Sequence, residues 1–219
     1  RLSGIINKMS SEMSRDQLNN IIQEVLSETR TAISSSDVLS ERLNNTMSEM
    51  QGLKKDLDDA KREAKTDTLT KLANRKAFDV VLEKATTDAD SAGMEVCMIF
   101  GDLDLFKKIN DTHGHIVGDQ VLRVVANSLK SAVKGRDLVA RYGGEEFAVI
   151  LLNTSLENSK RVAENIRAEI AAKRIQRRDS RESLGQITMS FGVARYFPSE
   201  GAESFLQRAD RALYMSKRK

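Results

Sequence analysis

The sequence predicts an α/β (α+β) fold: a central mixed sheet flanked by helices, preceded by an N-terminal helical coiled-coil region. Three observations predict it. Apolar residues recur at helical and then heptad spacing as far as residue 65. Beyond it the pattern reads α-β-α-β-β-α-β-α, a mixed order that suits an antiparallel-containing sheet with helices packed on it. The pair Gly143-Gly144 separates two strand-like apolar runs, a hairpin signal. A chain of 219 residues holds one catalytic-size domain plus an extension, so we divide it at 1–65 and 66–219.

Residues 1–65 contain no proline. Ile5, Met9 and Met13, then Leu18, Ile21, Ile22, Val25, Leu26 and Ile33, recur at helical spacing. Ser34-Ser35-Ser36-Asp37 predicts a break followed by a helix N-cap. A heptad seam follows: Leu43, Met50, Leu57 and Ala64 on one position, Leu39, Thr46, Leu53 and Ala60 on the other. The alternative is an amphipathic helix packed on its own domain; the sustained 3.5 period favours a signalling and dimerising coiled coil. Alanines near its end weaken the seam and make the pairing there adjustable.

Residues 77–85 read as a helix. The run 94–100, apolar apart from Glu95, predicts a strand buried on both faces. Residues 117–133 form an amphipathic helix with Val121, Leu122, Val125 and Leu129 on one side. The hairpin strands fall at 138–142 and 147–152. A helix at 156–175, a strand at 186–194 and a closing helix at 204–217 complete the order. The basic segment 173–185 reads as a loop or frayed helix end.

Composition narrows the function. Hydrophobic residues make up 40% and charged residues 31%, as expected of a soluble protein with a core. A net charge of +3 argues against a nucleic-acid binder. The single cysteine, Cys97, lies in an apolar run, which excludes an intrachain disulfide or a thiolate metal site and suits a reducing, cytoplasmic setting. No apolar stretch approaches membrane-spanning length, so no membrane contact is expected within this chain. The chain starts at Arg1 without a signal peptide, and an upstream sensor is possible.

The chemistry gathers at the predicted strand ends. Strand alternation puts Asp102 and Asp104 on one face. A carboxylate ending a buried strand is costly unless it meets a cation or caps a helix. Capping of a short helix beginning near Leu105 and metal binding are even contenders for Asp104. For Asp102 a metal is favoured, because the hairpin bearing Glu145 should pair beside this strand. Oxygen ligands without His or Cys suit Mg²⁺ or Mn²⁺. Gly143 and Gly144 should supply the positive φ of a primed turn and let a ligand approach the backbone. Lys107 and Lys108 either neutralise phosphates or are solvated. A carboxylate can accept from guanine's N1–H and amino group, so Asn110 and Asp119 could read guanine. Alternatively they are a turn residue and a helix N-cap. His113 reads as surface, His115 as a packing or loop-fixing residue, and Cys97 as core.

Together these residues resemble the GGDEF diguanylate cyclases from Asp67 to Lys217. Asp67-Thr68-Leu69-Thr70-Lys71-Leu72-Ala73-Asn74-Arg75 is similar to the family's D-x-L-T-G-L-x-N-R motif, with Lys71 where glycine is usual. Asp102-Leu103-Asp104-Leu105-Phe106-Lys107-Lys108-Ile109-Asn110-Asp111 resembles D-x-D-x-F-K-x-x-N-D, and Gly114-His115 and Gly118-Asp119 continue it. Gly143-Gly144-Glu145-Glu146-Phe147 is the signature, and Ala212-Leu213-Tyr214-Met215-Ser216-Lys217 resembles A-L-Y-x-A-K.

The resemblance implies a fold similar to class III nucleotide cyclases and polymerase palms, and the reaction 2 GTP → cyclic di-GMP + 2 pyrophosphate. Carried over, Asp102 and Glu145 bind Mg²⁺ (or Mn²⁺), assisted by the Leu103 carbonyl. Asn110 and Asp119 read guanine. Phe106, Gly143 and Gly144 belong to the substrate site, and Lys107 and Lys217 hold the triphosphate. Glu146 lies near the ribose 3′-oxygen. Turnover then needs a homodimer, one GTP from each half. The alternative is a catalytically inactive domain that only binds GTP or cyclic di-GMP; the intact acids favour the enzyme. The family's inhibitory R-x-x-D product site is Lys134-Gly135-Arg136-Asp137 here. Lysine cannot make arginine's planar bidentate contact, so weak or absent product inhibition is expected.

Overall fold

The computed structural model describes residues 15–133, 135–176 and 183–218. Helix α1 (Arg15–Lys65) runs unbroken for 51 residues and buries none of them. The predicted break at Ser34–Asp37 is therefore corrected. Serines cost a helix only a few tenths of a kcal/mol each (about 0.5), and no proline or glycine interrupts this stretch. Nearby Thr29 and Thr31 instead donate their hydroxyls to the carbonyls four residues back, Val25 and Ser27. The seam residues Leu39, Leu43, Met50, Leu53 and Leu57 are all exposed. By its contacts the chain divides into two units, meeting between Ala60 and Lys61.

The second unit is a five-stranded sheet with helices on both faces. Its elements are β1 (Ala73–Asn74), α2 (Arg75–Ala92), β2 (Val96–Leu103), α3 (Phe106–His113), α4 (His115–Ala132), β3 (Leu138–Arg141), β4 (Glu146–Leu152), α5 (Leu156–Ala172), β5 (Arg174–Gln176), β6 (Ser183–Gln186), β7 (Met189–Arg195) and α6 (Gly201–Lys217). The sheet order is β1-β3-β4-β2-β7, and β5 and β6 form a separate pair. In this sheet β1 and β3 run parallel, and β3–β4, β4–β2 and β2–β7 are antiparallel.

The central strand β2 is buried along its whole length. Its odd-numbered residues Cys97, Ile99 and Leu103 join the core beneath α4 and α5, with Val121, Val125, Leu129 and Ile166. Its even-numbered residues Val96, Met98 and Phe100 join the core beneath α2 and α6, with Phe78, Leu82, Phe205 and Leu213. This parity aims Asp102, the next even position, at the α6 side. Cys97 is a core residue, as its sequence context indicates; its thiol donates to the Thr154 carbonyl at 3.2 Å.

Several boundaries differ from the sequence reading. Helix α2 starts two residues earlier because the Asn74 side chain accepts from Ala77 N (3.0 Å), and Gly93 at φ +66° ends it. Helix α3, inside the motif stretch, is the short helix weighed near Leu105; it begins at Phe106. Part of the expected loop at 173–185 is the β5–β6 pair; residues 177–182 lie outside the described residues. Lys71, where the family pattern has glycine, sits in the left-handed region at φ +59°. Its Cβ is disfavoured there, so Lys71→Gly is expected to raise stability by about 1 kcal/mol. A urea unfolding midpoint checks this; an unchanged or lower midpoint contradicts it.

Candidate active site

The site grows from the end of β2. Asp102 is only 8% exposed. Lys217 Nζ, on the last turn of α6, stands 2.5 Å from its Oδ1. The contact is an ion pair without hydrogen-bond alignment, so this buried oxygen has a charge beside it but no aligned donor. Across the ladder Asp102 pairs with Glu146 of β4.

The signature turn is fixed from within and from outside. Tyr142 N and Gly143 N both donate to the Glu146 carbonyl, at 2.8 and 3.3 Å, and Leu103 N donates to the Glu145 carbonyl at 3.2 Å. Arg141 donates from Nη2 and Nε to the Gly144 carbonyl, at 2.7 and 3.2 Å. Its other guanidinium nitrogen bridges both Asp67 oxygens at 3.3 Å. Asp67 also accepts from the Thr70 amide and hydroxyl, at 2.8 and 2.6 Å. Burial alone would raise the Asp67 pKa; the Thr70 hydroxyl and amide and the Arg141 guanidinium outweigh it and hold the carboxyl below its ordinary value.

The expected positive φ at Gly143 and Gly144 is corrected: neither residue has one. At Gly143 a side chain would displace the Glu146 carboxylate from its present place. A Cβ there would lie 2.2 Å from Glu146 Oε2, because that carboxylate folds back over the turn. At Gly144 a Cβ would meet nothing within 4 Å, which leaves the backbone open to a ligand.

Three carboxylates share this small region. Burial, then the Asp102 charge, raises the Glu145 pKa, with Lys217 opposing. Burial, Asp102 and Asp210 raise Glu146, with Lys217 and Arg75 opposing. The Arg75 guanidinium lies 4.5 Å from the centroid of the Tyr142 ring, which packs edge-on against Phe78 and Phe100. Sequence reasoning gave no role to Arg75, Asp210 or Arg141. A signal existed for Arg75 and Arg141, each of which ends or adjoins a motif. Asp210 carried none.

A second cluster lies where α3 meets α4. Phe106 is buried and Asn110 half-buried; Asn110 Oδ1 is a buried acceptor with no donor. Gly118 packs so closely that a Cβ would sit 1.9 Å from that oxygen and 3.2 Å from the Phe106 ring. Asp119 follows, half-buried, inside α4 rather than at its N-cap. Asn110 likewise lies inside α3, not in a turn. Lys107 and Lys108 are exposed.

Asp104 caps nothing: α3 has no side-chain cap, and the Asp104 carboxylate accepts from the Thr188 and Ser190 hydroxyls at 2.7 and 2.8 Å. The histidine assignments reverse. His113 is half-buried beside a cavity of about 240 Å³ that Asp104, Lys108 and Thr188 also line, and His115 is exposed. Lys134 lies outside the described residues; Asp137 accepts from Leu152 N at 3.1 Å.

Among the described residues no three His, Cys, Asp or Glu side chains form a ready-made metal cluster. Asp102 and Glu145 nevertheless fit a hard cation. Both are oxygen donors, the Asp102 charge reaches Glu145, and one Asp102 oxygen is buried without an aligned donor.

Comparison with known proteins shows the family. The family model "Diguanylate cyclase, GGDEF domain" matches residues 64–219. The chain belongs to the GGDEF family. Diguanylate cyclase VdcA of Vibrio cholerae is 35% identical over 223 residues, covering 98% of this chain and 65% of that protein. The response regulator PleD of Caulobacter vibrioides is 41% identical over 166 residues, 75% of this chain and 36% of that protein. The chain thus spans no more than about two thirds of either relative. A solved structure of the coiled coil and GGDEF domain of DgcB from Caulobacter crescentus, in complex with c-di-GMP, is 42% identical. It has a TM-score of 0.80 and covers 82% of this chain and 94% of that one.

Proposed function

We propose that this GGDEF chain is an active diguanylate cyclase that condenses two GTP into cyclic di-GMP and releases two pyrophosphates. The observation that carries the reading is the joint placement of Asp102, Glu145, Glu146 and Lys217 around an open glycine turn. The relative VdcA, a named diguanylate cyclase, and the c-di-GMP complex of the DgcB domain support it.

Asp102 and Glu145, with the Leu103 carbonyl, would hold Mg²⁺ or Mn²⁺. Bound there, the cation would supply Lewis acidity toward the 3′-hydroxyl and the α-phosphate. The protein's own residues do the positioning. Gly144 leaves the nucleotide room along the turn, and Gly143 keeps the Glu146 carboxylate folded toward the ribose 3′-oxygen. Lys107 and Lys217 meet the triphosphate charge. Phe106 and Gly118 wall the base site, where Asn110 and Asp119 address the guanine edge.

Each domain presents one nucleotide, and in-line attack needs a second from the opposite side. A two-fold homodimer meets that need. The exposed heptad seam of α1 is the natural pairing element, and its register would bring the active faces together or hold them apart. No helix among the described residues is long and apolar enough to cross a membrane. A cyclase drawing on the GTP pool would act in the cytoplasm, and an upstream sensor would set its pairing. With Lys134 in place of arginine, product inhibition should be weak.

Incubation with GTP and Mg²⁺, followed by chromatography for cyclic di-GMP, tests the activity; no product from the dimeric protein rejects it. Base selection gives a sharper prediction. Adenine offers Asp119 no N1–H and no 2-amino group, so a half-buried carboxylate would be left unpaired. ATP should turn over at least about 10²-fold less efficiently than GTP. Comparable kcat/KM values for the two nucleotides would remove Asn110 and Asp119 from the base site.

A further inference from the structure

Lys217 ends α6, where a cation is already favoured by the helix dipole. Its ammonium does not simply face solvent. It stands 2.5 Å from Asp102 Oδ1, its side chain 39% exposed against 11% for the aspartate. That oxygen has no aligned donor, and the neighbouring Glu145 and Glu146 both feel Asp102 as a repelling charge and Lys217 as an attracting one. Of the cations acting on these acids, Arg75 reaches only Glu146. Lys217 is the one that Asp102, Glu145 and Glu146 share.

A divalent cation such as Mg²⁺ on the same carboxylate would approach an oxygen to about 2.0–2.1 Å. With the ammonium in place, two cations would crowd one oxygen in a partly desolvated site, where their repulsion is strong. The two occupancies therefore compete.

We propose that Lys217 is the resident counter-ion of the acidic site: it neutralises Asp102 while no divalent cation is bound, and it gives up that carboxylate when one enters. The displaced ammonium is then free to meet the triphosphate. One side chain thus guards the empty site and grips the substrate in the filled one. This inference rests on the reading of Asp102 and Glu145 as cation ligands.

The test is Mn²⁺ binding to the full chain without nucleotide, read by electron paramagnetic resonance of free Mn²⁺. Removing the competing charge in Lys217→Met should tighten Mn²⁺ binding roughly tenfold. Lys217→Arg keeps the charge and should stay within about twofold of wild type. Thermal melts give an independent readout. In EDTA, Lys217→Met should melt below wild type because Asp102 is left buried and unpaired; saturating Mn²⁺ should narrow that gap. Lys217→Gln replaces Lys217→Met if circular dichroism shows the latter unfolded. The inference is overturned if Asp102→Asn abolishes Mn²⁺ binding while Lys217→Met binds no more tightly than wild type. If Asp102→Asn binds Mn²⁺ as well as wild type, the cation-ligand reading itself fails.

Discussion

Glu145→Gln should leave a folded protein whose cyclic di-GMP production falls by about 10²–10³-fold or more, because a charge that stabilises the reacting phosphates is lost. The same change should make the metal-free protein more stable at neutral pH. Burial and the nearby Asp102 carboxylate raise the folded-state pKa of Glu145 above its ordinary 4.5. A carboxyl raised on folding contributes stability that is fully present below its unfolded pKa and disappears as pH rises through the folded one. At neutral pH wild-type Glu145 is held charged against that preference, and glutamine removes the conflict. The melting temperature of Glu145→Gln in EDTA should therefore exceed that of wild type near pH 7, and the difference should shrink toward pH 4. Asp67 has the opposite sign. Its lowered pKa contributes stability above about 3.8 that is lost as pH falls through the still lower folded value. A loss of both activity and melting temperature at pH 7 would mean that Glu145 acts as a structural ion-pair partner rather than a site assembled at the fold's expense.

The difference between what was legible and what was not follows the range of the interactions. The apolar string Val96–Phe100 announces a buried central strand, which the structure extends to Leu103, because burial on both faces leaves no polar alternation. The acids at its end were legible because a charge there demands a reason. Pairing of Asp102 with Glu146 follows from adjoining strands. Helix α3 was legible only as an alternative, the short helix near Leu105 that Asp104 would cap, because its sequence, Phe106–His113, is mostly polar and follows Leu105 in the left-handed region, without a capping side chain. The serine stretch in α1 looked like a stop because serine favours caps, yet a long helix outvotes weak local preferences. The reason for Gly143 was also misassigned. The sequence marks the glycine, but only three dimensions show that the Glu146 carboxylate, not backbone handedness, occupies the space. Arg75 reaches Tyr142 and Glu146 across 67 and 71 positions of chain, a separation that no local pattern encodes.

Gly192→Ala should be the most destabilising single-methyl change in the second unit. Gly192 lies in β7 where α6 crosses the sheet. A Cβ there would sit 2.2 Å from the Ala209 carbonyl oxygen, 2.2 Å from Leu213 N and 2.8 Å from the Ala212 carbonyl carbon. All three are backbone atoms, so no side chain can rotate away; the helix must lift or the strand must bend. Overpacking of this kind costs about 3 kcal/mol or more, a large share of the roughly 5–15 kcal/mol that holds a domain. Gly101→Ala meets the Phe191 ring and the Met189 methyl at 2.5–2.7 Å, which can give way, and should cost less. Gly52→Ala meets nothing within 4 Å in helix α1 and should instead add about 1 kcal/mol of helix stability. Denaturant midpoints of the three variants should therefore fall in the order Gly192→Ala, Gly101→Ala, Gly52→Ala, lowest first. Because α6 carries Lys217, any Gly192→Ala protein that does fold should hold that ammonium away from Asp102. It should then resemble Lys217→Met in its Mn²⁺ affinity as well as losing cyclase activity. Wild-type stability in Gly192→Ala would show that α6 does not pack on β7 as described.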